Sequence, residues 1–478
     1  MKAVIGRQGQ QEKAGVLCMT LDELLLNVKA VSFDSVVHQT DVLTEDDKQD
    51  YQSKGYFIQL TLDEFKEQFA NINPEHIHYT NSVSMNCFYM NYETLAVCPF
   101  HLEMLLGGIA PSAYTPDSLT RAFEEREKEV ANGEYWGSII TLPDAMRIEY
   151  FKMLIDKKGA KNIPKLYQFF IANYTQSDYG FGNMDAATLY AILQSKSPNE
   201  KRETTKKLKE LPDVLTIYRG GNSASTPYEQ GYSWTLDVNT ANFFAIRRGS
   251  GPAYIVTGKI KKEDVIEYID DRGEEEIIVL PNKVEIVDVL NLKDYDFLKE
   301  MLPKVVPMYH KYRDMLIDLD FNMKSSIHGK EHCARVLLMC LILSEMLGLP
   351  SSDRKILATA AIYHDSYRTH DGVEPAHGKA GKDYYRSDVN NPDPLVEFLC
   401  EYHCLPDDLG FETIKRNRKL SKNRERANLL FKVFKDADGL ERVRLGDIRR
   451  EMDMKQYRLP ETKELTLVAR INLEQIKL

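Results

Sequence analysis

The chain has 478 residues, 43% of them hydrophobic and 28% charged, which is enough for two to four globular domains with sizeable cores. Its formal net charge of −10 argues against broad electrostatic attraction to nucleic acid. No apolar run approaches the ~18 residues of a membrane span, and the charged start MKAVIGRQGQQEK has no signal-type apolar stretch behind it.

In chain order, residues 1–135 carry no motif. A strand-like run, Gly55–Leu60, precedes a helical stretch from Leu62 to Phe69. The charged run Thr120–Val130 predicts an amphipathic helix leading to a boundary near Ala131-Asn132-Gly133. This part is read as an accessory or interaction domain. From about 140 to 210 apolar residues recur at helical spacing through Met146, Tyr150, Met153 and Leu154, then Leu166, Phe169 and Phe170. The character changes at Leu211-Pro212. Runs rich in Val, Ile, Thr and Tyr at 214–220, 232–236, 253–260, 274–281 and 283–290 predict short strands. A helix is expected over Asn239–Ile246. From about 296 to 450 the pattern is helical again, with long apolar stripes over Glu331–Leu347 and Asp353–Tyr363. The expected architecture is a multidomain α+β chain. It comprises residues 1–135, a helical lobe with a β-rich core over 136–295, and an all-α unit over 296–478.

Seven cysteines, an odd number, are scattered without a CxxC pair, so neither a disulfide framework nor a zinc finger is expected. They read as reduced thiols of a cytosolic chain. Cys18, Cys87, Cys98, Cys333 and Cys340 lie in apolar or helical context, and Cys400 and Cys404, four apart, could share a helix face.

Two sets of residues carry chemistry. The first lies in the β-rich unit: a strand ending in Arg219-Gly220, then Gly231-Tyr232-Ser233-Trp234-Thr235, then Arg272-Gly273-Glu274-Glu275-Glu276 running into Ile277-Ile278-Val279. An acidic triplet alone is usually a solvated loop; the ordered set is more specific. Cleavage of the nicotinamide–ribose bond passes through an oxocarbenium-like sugar that a fixed carboxylate stabilises. Glu276, at a loop-to-strand junction, suits that role, with Glu275 the alternative if the register shifts by one. Glu274, two residues earlier, would face the same side of an extended segment and act as general base. Arg219 offers a fork to pyrophosphate or ribose oxygens. Gly220 permits close backbone approach to the nicotinamide amide, and Ser233 holds the carboxylate.

This trio resembles the Arg–Ser–Glu ADP-ribosyltransferases with an ExE loop, over roughly residues 140–292. The resemblance implies NAD+ as substrate, Glu276 as catalytic residue, and Glu274 as the residue favouring arginine acceptors. It also implies Arg219, Gly220 and Ser233 as the NAD contacts. Ser233-Trp234-Thr235 departs mildly from the family's Ser-Thr-Ser.

The second set lies in the helical C-terminal part: His328 and His332, then His364-Asp365, His377, His403, and Asp436-Ala437-Asp438. Imidazole and carboxylate together suit a divalent metal that keeps a water position open. The ordered His…His-Asp…Asp resembles the HD superfamily of phosphohydrolases over about residues 320–450. The resemblance implies His332, His364, Asp365 and Asp438 as metal ligands, with Asp436 as fallback. His377 and His403 are implied as additional ligands or phosphate contacts. Mg2+ or Mn2+ is expected, with iron or zinc as alternatives. The basic run Lys415, Arg416, Arg418, Lys419, Lys422, Arg424 and Arg426 is either a solvated face or a phosphate or nucleic-acid contact.

Together the resemblances imply a bacterial toxin or effector, cytoplasmic or exported by a specialised system. Its acceptor would be a protein, or secondarily a nucleic acid. A nucleotide, phosphoester or the ADP-ribosylated product would meet the HD site. One alternative is a bifunctional effector building phosphoribosyl-linked ubiquitin. Others are a transferase gated by a nucleotide-sensing HD domain and an inactive adaptor.

Overall fold

A computed structural model describes residues 37–38, 77–79, 87–99, 116–142, 144–175, 184–223, 225–247, 251–270, 272–325 and 327–475. The expected strand Gly55–Leu60 and helix Leu62–Phe69, together with Cys18, lie outside these residues. The chain mixes helix and sheet and ends in a helical part.

A small antiparallel sheet runs in the order β1 (Val37–His38), β2 (Ile77–Tyr79), β3 (Cys87–Asn91) and β4 (Ala96–Pro99). It packs with α1 (Pro116–Ala131), α2 (Trp136–Thr141), α3 (Asp144–Lys158), α4 (Leu166–Tyr174) and α5 (Ala186–Gln194) around Phe88, Met90, Tyr150, Phe151 and Phe170. That core runs across residue 135: the Val97 amide donates to Ser138 Oγ (3.1 Å), and Tyr150 Oη donates to the Leu95 carbonyl (2.8 Å). α6 (Pro198–Lys209) starts with a capping box, in which Ser197 and Glu200 satisfy each other's backbone amides and Pro198 sits where no amide donor is needed.

The second sheet has six antiparallel strands: β5 (Val214–Asn222), β6 (Ser233–Thr235), β7 (Ala253–Lys261), β8 (Val265–Ile269), β9 (Glu276–Val279) and β10 (Glu285–Leu292). Their order across the sheet is β10-β7-β5-β6-β9-β8. β8 leaves little mark in the sequence, because its apolar alternation is interrupted by Glu267. That carboxylate is buried, ion-paired with buried Lys196, and accepts a hydrogen bond from Thr204 Oγ1 (3.0 Å). α7 (Val238–Ile246), capped by Asp237, lies directly on β5. A Cβ at Gly220 would sit 1.7 Å from the Ala241 carbonyl oxygen, so glycine there is what lets helix and strand touch.

The helical part comprises α8 (Tyr295–Asp318), α9 (Lys330–Met346), α10 (Ser351–Tyr363), α11 (His377–Asp388), α12 (Pro394–Tyr402), α13 (Asp407–Arg416), α14 (Arg424–Glu441), α15 (Ile448–Glu451), α16 (Pro460–Glu464) and α17 (Thr466–Gln475). α9 is buried continuously from His332 to Ser344, as a helix apolar on every side must be. Ala241 and Ala245 of α7, Ile255 of β7 and Leu292 of β10 share one core with these helices, so packing is continuous across residue 295. Polar ties reinforce the join: Asn239 Nδ2 donates to Asp453 (3.0 Å), Lys455 Nζ pairs with Asp237 (3.0 Å), and the Lys293 amide donates to the Glu464 carbonyl (2.7 Å). Among the described residues no helix is long and apolar enough to cross a membrane.

Candidate functional site

Candidate site residues gather in both halves, in two neighbouring clusters of the helical half and one of the β-rich half. In the helical half, His332 sits in the first turn of α9, His364 and Asp365 follow the end of α10, and Asp438 lies in α14. His332 Nδ1 meets Glu441 Oε2 (2.5 Å) and His364 Nδ1 meets the Ala361 carbonyl (2.9 Å). Those oxygens only accept, so each Nδ1 carries a hydrogen and each Nε2 faces inward as the nitrogen left to bind a cation. The two Nε2 atoms are 3.2 Å apart, and His332 Nε2 lies 3.5 Å from Asp365 Oδ2 and 3.4 Å from Asp438 Oδ1. Two nitrogens bound to one tetrahedral ion at about 2.0–2.1 Å would be about 3.3 Å apart. Four acceptors converging in a buried space repel one another unless positive charge lies between them, so this donor set fits a divalent cation.

A second convergence lies behind the first. His377, the first residue of α11, directs Nδ1 at the Glu374 carbonyl, and His403, just past α12, directs Nδ1 at the Cys400 carbonyl (2.7 Å). Their Nε2 atoms face each other at 2.8 Å. Asp365 Oδ1, buried and accepting no hydrogen bond, lies 3.1 Å from His377 Nε2 and 3.5 Å from His403 Nε2. One carboxylate thus has an oxygen toward each histidine pair. Gly378 lets α11 press onto the end of α12, since a Cβ would lie 2.6 Å from the Cys400 carbonyl oxygen.

The fields follow from this crowding. Burial holds His364 down to about 3. Burial opposes charge on Asp365 and Asp438, yet the surrounding imidazoles hold both carboxyls well below the usual range. Burial likewise opposes a proton on His332, but Glu441 and Asp438 draw its pKa upward.

Four residues at these clusters were not predicted as site residues. Glu441 lies one turn after Asp438 on α14; besides His332 it takes Arg335 Nε (2.5 Å) and Arg444 Nη1 (2.6 Å). Arg368, one turn after Asp365, places Nη1 3.2 Å from His377 Nδ1, 3.3 Å from its Nε2 and 3.7 Å from Asp365 Oδ1. Cys404 directly follows His403. Tyr174 belongs to the other half, at the end of α4. The i+3 spacing was the available signal for Glu441 and Arg368.

Other expectations resolve differently. Asp436 is fully buried away from the histidines, accepting from the Arg458 and Leu459 amides and Thr462 Oγ1 (2.8 Å). His328 pairs with Asp371 (3.0 Å), its ring centroid 6.0 Å from that of His332. Cys400 and Cys404 do not share a helix face, because α12 stops at Tyr402. The basic side chains from Lys415 to Arg424 are exposed, and Arg426 pairs with Asp353 (2.6 Å).

In the β-rich half, antiparallel pairing sets Thr235 opposite both Tyr218 of β5 and Glu276 of β9, which brings the three expected residues together. Ser233 Oγ donates to Glu276 Oε1, and so does Tyr174 Oη. Arg219 donates to the Ser233 carbonyl (2.5 Å) and the Thr226 carbonyl (3.3 Å). Burial raises the pKa of Glu276, partly offset by the Ser233 and Tyr174 hydrogen bonds. Glu275 is exposed, with φ +44°, its amide donating to Asp270 (3.1 Å). The segment is therefore not extended through 274–276, and the expected same-side argument for Glu274 does not apply. Glu274 is buried and pairs with Arg272 (2.9 Å) and with Arg449 of α15 (3.5 Å).

Comparison with known families matches residues 329–443 to the HD domain. The matched span contains both histidine–carboxylate clusters and leaves Arg219, Ser233 and Glu276 outside it. No curated protein and no solved structure matches the chain.

Proposed function

We propose that the C-terminal half is a metal-dependent phosphohydrolase acting on a nucleotide or another phosphoester. The observation that carries this reading is the convergence of four acceptors on one space, the buried His332 Nε2, His364 Nε2 and Asp365 Oδ2 and the partly exposed Asp438 Oδ1. His332, His364, Asp365 and Asp438 would hold the cation, and His377 and His403 would hold a second one against Asp365 Oδ1. A divalent ion bound there supplies Lewis acidity to a phosphoryl oxygen and a hydroxide-like water near neutral pH. Glu441 keeps the hydrogen of His332 on Nδ1 and fixes the ring. Arg368, beside Asp365 and His377, supplies a guanidinium for a phosphate oxygen. The direct test incubates the full chain with Mn2+ and a panel of nucleotides and p-nitrophenyl phosphodiesters, with His364→Ala/Asp365→Ala as control. Metal-dependent turnover lost in the control is expected. Nucleotide binding without turnover of any member would favour a nucleotide sensor instead.

A second reading is supported by the Arg219–Ser233–Glu276 cluster with Tyr174. The β-rich half would cleave NAD+ and transfer ADP-ribose to a protein. Glu276, gripped by two hydroxyls, would stabilise the ribosyl cation. Arg219 would orient the pyrophosphate. A phosphoester in that product is chemically suited to the neighbouring half, which makes the bifunctional effector reading coherent. Its test is Glu276→Gln: NAD+ cleavage should fall at least about 100-fold while NAD+ affinity stays within a few-fold. Unchanged cleavage would remove Glu276 from the role.

A further inference from the structure

We infer that the second cation position in the helical half is a thiolate site, in which Cys404 Sγ joins His377, His403 and Asp365 Oδ1 around a borderline-soft ion such as Zn2+, Fe2+ or Co2+. The inference rests on the reading that this cleft holds divalent cations.

The ligand-bearing atoms of His377, His403 and Cys404 all lie within 4.8 Å of one another. Sulfur and nitrogen on one tetrahedral zinc ion are separated by about 3.5 Å, so closing the shell needs only a small turn of the thiol. Its nearest acceptors are the Pro375 carbonyl at 3.6 Å and the Glu401 carbonyl at 4.0 Å, both weak contacts for sulfur. An independent observation points at the same space: Asp365 Oδ1, on a side chain only 2% exposed, is aimed there and accepts no hydrogen bond. The two Nε2 atoms also face each other, each Nδ1 being committed to a carbonyl.

The local architecture keeps the sulfur at this place. A Cβ at residue 378 would lie 3.0 Å from Cys404 Sγ as well as against two backbone carbonyls, so glycine holds open the room the sulfur occupies. Charge also favours a thiolate. Arg368 flanks His377, and a cation beside a guanidinium gains from a ligand set carrying two negative charges, from Asp365 and Cys404, instead of one. Two imidazoles, one thiolate and one carboxylate oxygen form a mixed nitrogen–sulfur–oxygen shell that suits zinc, iron or cobalt and discriminates against magnesium. The first position, with nitrogen and oxygen donors only, has no such bias. The cleft therefore carries two positions of different softness bridged by one aspartate.

The experiment loads the metal-free full chain with Co2+ and follows stoichiometry and the near-ultraviolet sulfur-to-cobalt charge-transfer band. The wild type should bind two equivalents and show the band. Cys404→Ser should keep one equivalent, lose the band, and weaken the second equivalent for Zn2+ at least about tenfold. Cys333→Ser is the control, because Cys333 Sγ lies 3.9 Å from His364 Nδ1, and the band should survive in it. Two equivalents with no band, or a band that survives in Cys404→Ser, would overturn the thiolate site and leave the metal-dependent reading standing. No bound Co2+ at all would overturn that reading itself.

Discussion

Replacing Glu441 with Gln tests how the first histidine cluster is held. Glu441 is 2% exposed and accepts from His332 Nδ1 (2.5 Å), Arg335 Nε (2.5 Å) and Arg444 Nη1 (2.6 Å). Two buried guanidinium groups therefore depend on one carboxylate. A carboxamide keeps the volume but turns one acceptor oxygen into a donor, so at least one contact becomes donor against donor. Hydrogen bonds to charged groups contribute about 1.5–3 kcal/mol each, and removing one partner of a buried ion pair costs about 3–5 kcal/mol. We expect Glu441→Gln to lose about 3–5 kcal/mol in urea unfolding of the metal-free chain. Metal affinity should fall a further 10–100-fold or so, because the tautomer of His332 is no longer enforced. The pH dependence fixes the cause. Burial opposes charge on Glu441, but His332, Arg444 and Arg335 hold its pKa below the ordinary value. Its stabilisation is then fully present above about pH 4.3, the unfolded value, and fades as pH falls through the lower folded value. The gap between wild type and variant should shrink over that acid range. An unfolding midpoint and Mn2+ affinity equal to wild type at pH 7 would refute the reasoning.

Gly220→Ala should destabilise by about 1–3 kcal/mol or more, because α7 would have to retreat from an Ala241 oxygen now 1.7 Å from the new Cβ. A melting curve matching wild type would show that α7 does not bear on β5 as described. Lys196→Met leaves Glu267 buried beside a lost partner and should cost about 3–5 kcal/mol, with much of the loss recovered in Lys196→Met/Glu267→Leu. A double variant as unstable as the single one would contradict the pairing.

Much of the secondary structure was legible because its signals are local. The strand of Val214–Asn222 and the helices of Lys330–Met346 and Ser351–Tyr363 lie within a few residues of where hydrophobic spacing puts them. The strand Val265–Ile269 was not legible, because a glutamate at its centre reads as an exposed residue until Lys196, about seventy residues earlier, is known to meet it. The clusters followed the same rule. His-Asp at a helix end and three glutamates before an apolar strand are visible in one dimension. Tyr174, brought to Glu276 from a different layer, has no mark in sequence. Gly220 was assigned to ligand approach, whereas the backbone it meets is that of α7. The left-handed Glu275 defeated an argument from strand periodicity, since a single positive φ re-aims the residues on either side.

The account stands most directly on a manganese-edge anomalous difference map from crystals of the full chain grown with Mn2+. It predicts a peak enclosed by His332, His364, Asp365 and Asp438, absent from crystals of the His364→Ala/Asp365→Ala variant. Fully ordered side chains at those four positions with no peak among them, at saturating Mn2+, would contradict it.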